Sequence, residues 1–143
     1  MTSMVLNVTF DCVDPRALAR FWGAVTGWPV DEEPEPGKPD ASVGPSGDGG
    51  PRLYFVQVPE GKVTKNRVHL DLEPIDRSQD EEIARLTALG ATLLSDDRPE
   101  MGWVVMADPE GNEFCLEMSA DDLKAALIAE AAEAAAESHS STE

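Results

Sequence analysis

The sequence predicts an α+β fold in which a βαβββ module occurs twice and is followed by a C-terminal helix. Two stretches, residues 5–12 and 66–73, alternate apolar and polar side chains as half-buried strands do. Each is followed by a capped amphipathic helix and then by shorter segments typical of strands. The same order of elements therefore recurs, although few residues are identical between the two copies.

The first module is predicted over residues 4–60. Asp14 and Pro15 are typical of a helix N-terminus, an apolar stripe follows at helical spacing, and Gly27 ends the helix. Short strands are expected near residues 28–32 and 41–43, and a clear strand over 53–59.

The second module is predicted over residues 66–119. Ser78 and Glu81 form a capping-box pattern, and Gly90 ends the helix that follows. Strands are expected over 91–94, 103–107 and 113–118. The alanine- and glutamate-rich residues 120–137 predict the C-terminal helix, and residues 138–143 are expected to be a disordered tail.

Composition excludes several classes of function. The formal net charge of −17 argues against nucleic acid as a partner, because phosphate binding needs Lys and Arg, and it disfavours anionic membrane surfaces. No apolar run is long enough to span a bilayer, and no secretory signal precedes residue 5, so we expect a cytoplasmic protein. Cys12 and Cys115 lack the spacing of a zinc motif and are interpreted as reduced thiols.

The polar sides of the two opening strands are unusual. Asn7, Thr9 and Asp11 alternate in the first, and His69, Asp71 and Glu73 alternate in the second. If the helices cover the apolar sides, the polar sides of two curved sheets can surround a shared cavity. A solvent-facing sheet with chance carboxylates explains the pattern equally well.

Three segments carry a resemblance to a known family. The opening stretch 7–28, with Val13-Asp14-Pro15 and Thr26-Gly27-Trp28, is similar to the first module of the vicinal-oxygen-chelate superfamily. Residues 66–72 resemble its second opening strand, and residues 107–117 its closing hairpin, which is the most specific of the three. That superfamily includes glyoxalase I, extradiol dioxygenases and bleomycin-resistance proteins, and the resemblance covers about residues 4–119.

The resemblance implies a metal site. Its ligand positions fall on Asn7, Gln57, His69 and Glu117, and Glu117 would also be the catalytic proton shuttle. Imidazole and carboxylate suit Zn, Ni, Fe or Mn, whereas the amides of Asn7 and Gln57 are weak ligands. The alternative is that no metal binds and that His69 is a neutral pocket histidine, hydrogen-bonded to Glu117 or Gln57.

Two functions follow from the resemblance. One is a metal-dependent lyase, isomerase or dioxygenase acting on a small molecule with vicinal oxygens; the other is a non-catalytic, resistance-type binding protein without metal. Thr9, Phe55, Asp71 and Trp103 are the candidate substrate-binding residues, although an aromatic in such a position is more often part of the core than of a ligand wall. The resemblance also implies a homodimer.

Overall fold

A computed structural model describes residues 2–31, 38–47 and 49–140. The described part of the chain contains two copies of the expected order of elements and one additional short helix, α3. The elements are β1 (Asn7–Cys12), α1 (Pro15–Thr26), β2 (Val30–Asp31), β3 (Asp40–Val43), β4 (Arg52–Gln57), β5 (Leu70–Leu72), α2 (Gln79–Leu89), β6 (Thr92–Asp96), α3 (Arg98–Met101), β7 (Val104–Ala107), β8 (Glu113–Leu116) and α4 (Ala120–Ser140).

The two modules have the same strand order. The sheets run β1-β4-β3-β2 and β5-β8-β7-β6. In each, the opening strand is parallel to the last strand of its module, and the other neighbours are antiparallel. The predicted α+β fold of two repeated modules is therefore confirmed. The two sheets remain separate and do not close into one barrel.

Local capping signals explain where the helices begin and end. Asp14 accepts a hydrogen bond from Ala17 N at 3.0 Å. Gly27, at a φ of 71°, ends α1 in the left-handed conformation that glycine adopts without strain. Ser78 and Glu81 form the predicted capping box at the start of α2.

The apolar sides of both sheets share one core. Trp22 of α1 lies at its centre, with its ring centroid 5.7 Å from that of Phe10 and 5.4 Å from that of Phe114. Phe55 is completely buried, with its ring 5.4 Å from that of Phe10. Phe55 therefore belongs to the core, which is the alternative that the sequence left open for this aromatic, because its side chain lies on the core side of β4.

The turn between β7 and β8 joins the two modules. The carboxylate of Glu110 accepts hydrogen bonds from Val13 N at 2.6 Å and from Asp14 N at 3.0 Å, where α1 begins. The indole Nε1 of Trp22 donates to Asp108 Oδ2 at 3.1 Å. An anionic side chain near a helix N-terminus is electrostatically favourable. The hairpin over residues 107–117, which is the most specific part of the family resemblance, thus holds the first module against the second.

The C-terminal helix α4 extends to Ser140, three residues beyond its predicted end, and the remaining predicted tail, 141–143, lies outside the described residues. Leu123, Leu127 and Ile128 on this helix are 50, 57 and 62% exposed. Among the described residues, no helix is long and apolar enough to cross a membrane.

Candidate functional site

The register of β5 against β8 places a group of polar side chains on one side of the second sheet. Asp71 lies opposite Cys115, while Leu70 lies opposite Phe114 on the core side. Because side chains alternate along a strand, His69 and Glu117, each two residues from that pair, face the same way as Asp71 and Cys115. A backbone hydrogen bond from Glu117 N to Leu72 O, at 2.8 Å, continues this pairing beyond β8.

These side chains line a pocket of about 370 Å³. It contains four of the residues predicted from sequence: His69, Asp71, Trp103 and Glu117. The sequence interpretation missed the others. The full lining is Lys65, His69, Asp71, Trp103, Val105, Glu113, Phe114, Cys115 and Glu117. Alternation along residues 113–117 was the signal that could have identified Glu113 and Cys115.

Two glutamates in the pocket are in different electrostatic environments. Burial, and then the negative charge of Asp71, raise the pKa of Glu117 above its ordinary value. Burial acts to raise the pKa of Glu113 as well, but hydrogen bonds from Lys62 Nζ at 2.9 Å and from Asn66 N at 3.1 Å outweigh it and lower that pKa. Glu113 is therefore held as an anion, whereas Glu117 accepts a proton more readily.

His69, Asp71 and Cys115 are the closest group in the pocket. Their potential ligand atoms all lie within 4.8 Å of one another, and His69 Nε2 is 3.4 Å from Asp71 Oδ1. Burial, and then the charge of Asp71, raise the pKa of the Cys115 thiol. Glu117 is not a member of this group.

The structure places Gln57 away from the polar side of the first sheet. In the parallel pair of β1 and β4, Asn7 lies opposite Arg52, and Gln57 lies opposite Cys12 on the core side. The amide Nε2 of Gln57 donates to Val13 O at 3.1 Å. The position that corresponds to Glu117 is Val56, one residue earlier. Because side chains alternate along a strand, an alignment shifted by one residue assigns a side chain to the wrong face of the sheet. The alignment of Gln57 with Glu117 therefore placed the side chain of Gln57 on the wrong face.

Asn7 and Thr9 belong to the first sheet and do not line the pocket that contains Glu117. Residues 58–69 form the linker between β4 and β5. Thr9 and much of this linker line a neighbouring cleft of about 480 Å³, and His69 borders both cavities. The four residues that the resemblance implies as ligands, Asn7, Gln57, His69 and Glu117, are therefore not brought together within this chain. As a set, they therefore do not fit one metal ion in this chain.

Comparison with known families agrees with this architecture. The profile of a family described as the glyoxalase-like domain matches residues 7–117, which is more than half of the chain. The chain belongs to the glyoxalase-like domain family. This family match agrees with the resemblance to glyoxalases that the sequence motifs indicated. A search of curated proteins found no match to this glyoxalase-like domain.

Solved structures resemble the glyoxalase-like domain over most of its length. A glyoxalase/bleomycin resistance protein/dioxygenase family enzyme from Burkholderia phytofirmans is 17% identical, has a TM-score of 0.63, and covers 80% of this chain and 97% of its own. A glyoxalase-related enzyme from Fulvimarina pelagi is 25% identical, with a TM-score of 0.56 and coverage of 80% and 87%.

A third similar structure contains a ligand and a metal ion. It is a mutant of the fosfomycin resistance protein FosX from Listeria monocytogenes, complexed with Mn(II) and 1S,2S-dihydroxypropylphosphonic acid. It is 15% identical, has a TM-score of 0.63, and covers 83% of this chain and 92% of its own.

Proposed function

We propose that this glyoxalase-like domain is a lyase or isomerase that transfers a proton on a small molecule with vicinal oxygens. Glu117 takes and returns the proton. The observation that carries this proposal is the position of Glu117, whose carboxylate faces a pocket of about 370 Å³ beside Asp71 and next to an aromatic wall. A carboxylate in such surroundings favours its protonated form more than a solvated one does, which brings it closer to the requirements of a general acid or base.

The neighbouring carboxylate supports a division of roles. Glu113 is fixed by Lys62 and by the backbone of Asn66, so it remains ionised and holds the linker over the pocket. Active sites that transfer protons commonly contain two carboxylates whose surroundings shift their pKa values in opposite directions. Glu113 begins β8 and Glu117 directly follows it, and the pKa of Glu113 is lowered while that of Glu117 is raised.

The other lining residues suit a small molecule that is partly apolar. Trp103 and Val105 form an apolar wall, and His69 and Asp71 offer polar contacts at the opposite side of the pocket. A larger substrate would extend past His69 into the neighbouring cleft, where it would meet Thr9. Aromatic walls with a few directed polar groups are typical of pockets for small ligands.

The test combines binding with proton exchange. A panel of small hydroxycarbonyl, dicarbonyl and diol compounds is screened by thermal shift, and each ligand found is incubated with the protein in D₂O and followed by NMR. We expect exchange of a carbon-bound proton next to an oxygen-bearing carbon. Glu117→Gln should bind the ligand and lose the exchange, whereas Glu100→Gln, on the exposed surface of α3, should retain both.

Binding without exchange or conversion would contradict the proposal. A ligand that stabilises the protein and leaves the solution unchanged, for both the natural chain and Glu117→Gln, would identify a sequestering protein instead. Loss of ligand binding in Trp103→Ala would still identify the pocket in that case.

We also propose that the chain forms a homodimer in the cytoplasm. The exposed apolar side chains of α4 support an interface between subunits. Cys12 and Cys115 are both free thiols, which suits a reducing compartment.

A further inference from the structure

We propose that His69, Asp71 and Cys115 form a binding site for one divalent ion of the zinc type. This set shares only His69 with the ligands that the family resemblance implies. It rests on side-chain geometry and is independent of the proton transfer proposed for Glu117.

The backbone explains why these three residues meet. His69 and Asp71 are two residues apart, so they project from the same side of the chain at β5. Cys115 lies directly opposite Asp71 on the neighbouring parallel strand, so its side chain projects from the sheet beside that of Asp71. A rigid pair of strands therefore presents an imidazole, a carboxylate and a thiol to the same point. Sites on strands are held more precisely than sites on loops.

The distances are close to those of a bound ion. Zinc bonds of about 2.0 Å to nitrogen or oxygen and 2.3 Å to sulfur place tetrahedral ligand atoms roughly 3.3–3.8 Å apart. His69 Nε2 and Asp71 Oδ1 already have this spacing, at 3.4 Å. The three ligand atoms lie within 4.8 Å of one another, about 1.3 Å more than the nitrogen-to-sulfur or oxygen-to-sulfur spacing of a tetrahedral zinc site, and side-chain rotation supplies a movement of this size.

The ligand types select the ion. A thiolate with an imidazole favours zinc, whereas sites for magnesium and calcium consist of oxygen atoms. Three protein ligands leave a fourth position open, which is the arrangement of catalytic zinc sites, and here the fourth position would open into the pocket. Glu113 is paired with Lys62, so the carboxylates of Asp71 and Glu117 stand against the single ammonium of Lys65 in the pocket lining. This excess of negative charge attracts a cation.

Cobalt(II) gives a direct test, because it replaces zinc and shows a thiolate-to-cobalt charge-transfer band in the near ultraviolet. The full chain is treated with a chelator, dialysed and titrated with Co²⁺. We expect one ion per chain, the charge-transfer band and visible bands of tetrahedral intensity. Cys115→Ser should remove the charge-transfer band, and His69→Ala and Asp71→Asn should weaken binding by roughly tenfold or more.

Two control variants distinguish this site from alternatives. Cys12 is buried in the core, where desolvation and nearby carboxylates raise its pKa to about 12, so Cys12→Ala should retain the band. Glu117→Gln should also retain it, because Glu117 lies outside the group of three. Far-ultraviolet circular dichroism confirms that each variant is folded.

Three results would overturn the metal site: no stoichiometric Co²⁺ binding, a charge-transfer band that survives in folded Cys115→Ser, or binding that depends on Glu117 and not on Asp71. Proton exchange is measured separately, on chelator-treated protein. A chain that binds no cobalt and still exchanges the substrate proton refutes the metal site alone. A chain that binds cobalt through Cys115 and shows no exchange refutes only the proposed function.

Discussion

Replacing Phe55 with alanine should destabilise the protein far more than the same change at Trp103. Both aromatics are candidate walls of the ligand site in the sequence, but the structure separates them. The side chain of Phe55 is completely buried in the shared core, whereas Trp103 is only half-buried and lines the pocket. The two substitutions therefore test whether β4 presents Phe55 to the core or to the ligand.

The expected cost at Phe55 follows from what the ring contacts. Removing a fully buried phenyl ring forfeits roughly 2–4 kcal/mol of transfer free energy at about 25 cal/mol per Å². The ring of Phe10, with its centroid 5.4 Å away, loses an aromatic partner, and a cavity remains in a core shared by both modules. The total should be about 3–5 kcal/mol, and the unfolding free energy at Trp103→Ala should fall by about 1 kcal/mol.

The assay is urea unfolding followed by far-ultraviolet circular dichroism, which does not depend on tryptophan fluorescence. With a slope of about 2 kcal/mol per molar urea, Phe55→Ala should lower the unfolding midpoint by roughly 1.5–2.5 M. Ligand binding, measured by thermal shift, should be lost in Trp103→Ala while the fold remains. A midpoint shift below about 0.5 M at Phe55, or equal shifts at both positions, would refute this assignment of faces.

Three further predictions test contacts between the modules, between α2 and α4, and between subunits. Glu110→Ala removes the acceptor for Val13 N and Asp14 N. Because the site is partly exposed, the free energy of unfolding should fall by only about 1 kcal/mol, and native-state hydrogen exchange at those two amides should accelerate. Unchanged exchange would contradict the role of Glu110 in holding the two modules together. Hydrogen bonds from Gln79 N and Ser119 hold the pKa of Asp122 below its ordinary value. The stability that the ionised carboxylate gives the folded protein is therefore complete above about pH 4, and it is lost as the pH falls through the folded pKa. In unfolding free energies measured against pH, Asp122→Asn should flatten this loss at acid pH, and a profile identical to that of the natural chain would count against the prediction. Light scattering should give the mass of two 15.4 kDa chains, and Leu127→Lys should shift it towards one; a monomeric natural chain would contradict the dimer.

The elements that the sequence predicted well are those with local chemical signals. Asp14 and Ser78 are side chains that accept hydrogen bonds from the first turn of the following helix, and Gly27 and Gly90 end those helices with a positive φ. None of these interactions depends on the rest of the fold. The short helix α3, in contrast, has no buried residues, so no apolar periodicity marked it.

Half of the site was predictable for a similar reason. The spacing of His69 and Asp71 fixes them on one side of the chain, whatever the strand pairs with. Cys115 depends on register: only the parallel pairing of β5 and β8 shows that it lies opposite Asp71. Apolar residues at neighbouring positions of β4 allow either side to be the buried one, so the alternation that located His69 did not locate Gln57.

The two modules share a topology but differ in how their polar sides are used. On the first sheet, Arg52 forms an ion pair with Asp31, and Tyr54 donates a hydrogen bond to Asp40 at 2.9 Å. These side chains pair with one another, and Val56 stands where the second module has Glu117. On the second sheet, burial and then the charge of Asp71 raise the pKa of Glu117, and a bound ligand or cation would relieve the repulsion between the two carboxylates. This difference between the sheets favours the second sheet, rather than the space between the sheets, as the place of the proposed proton transfer.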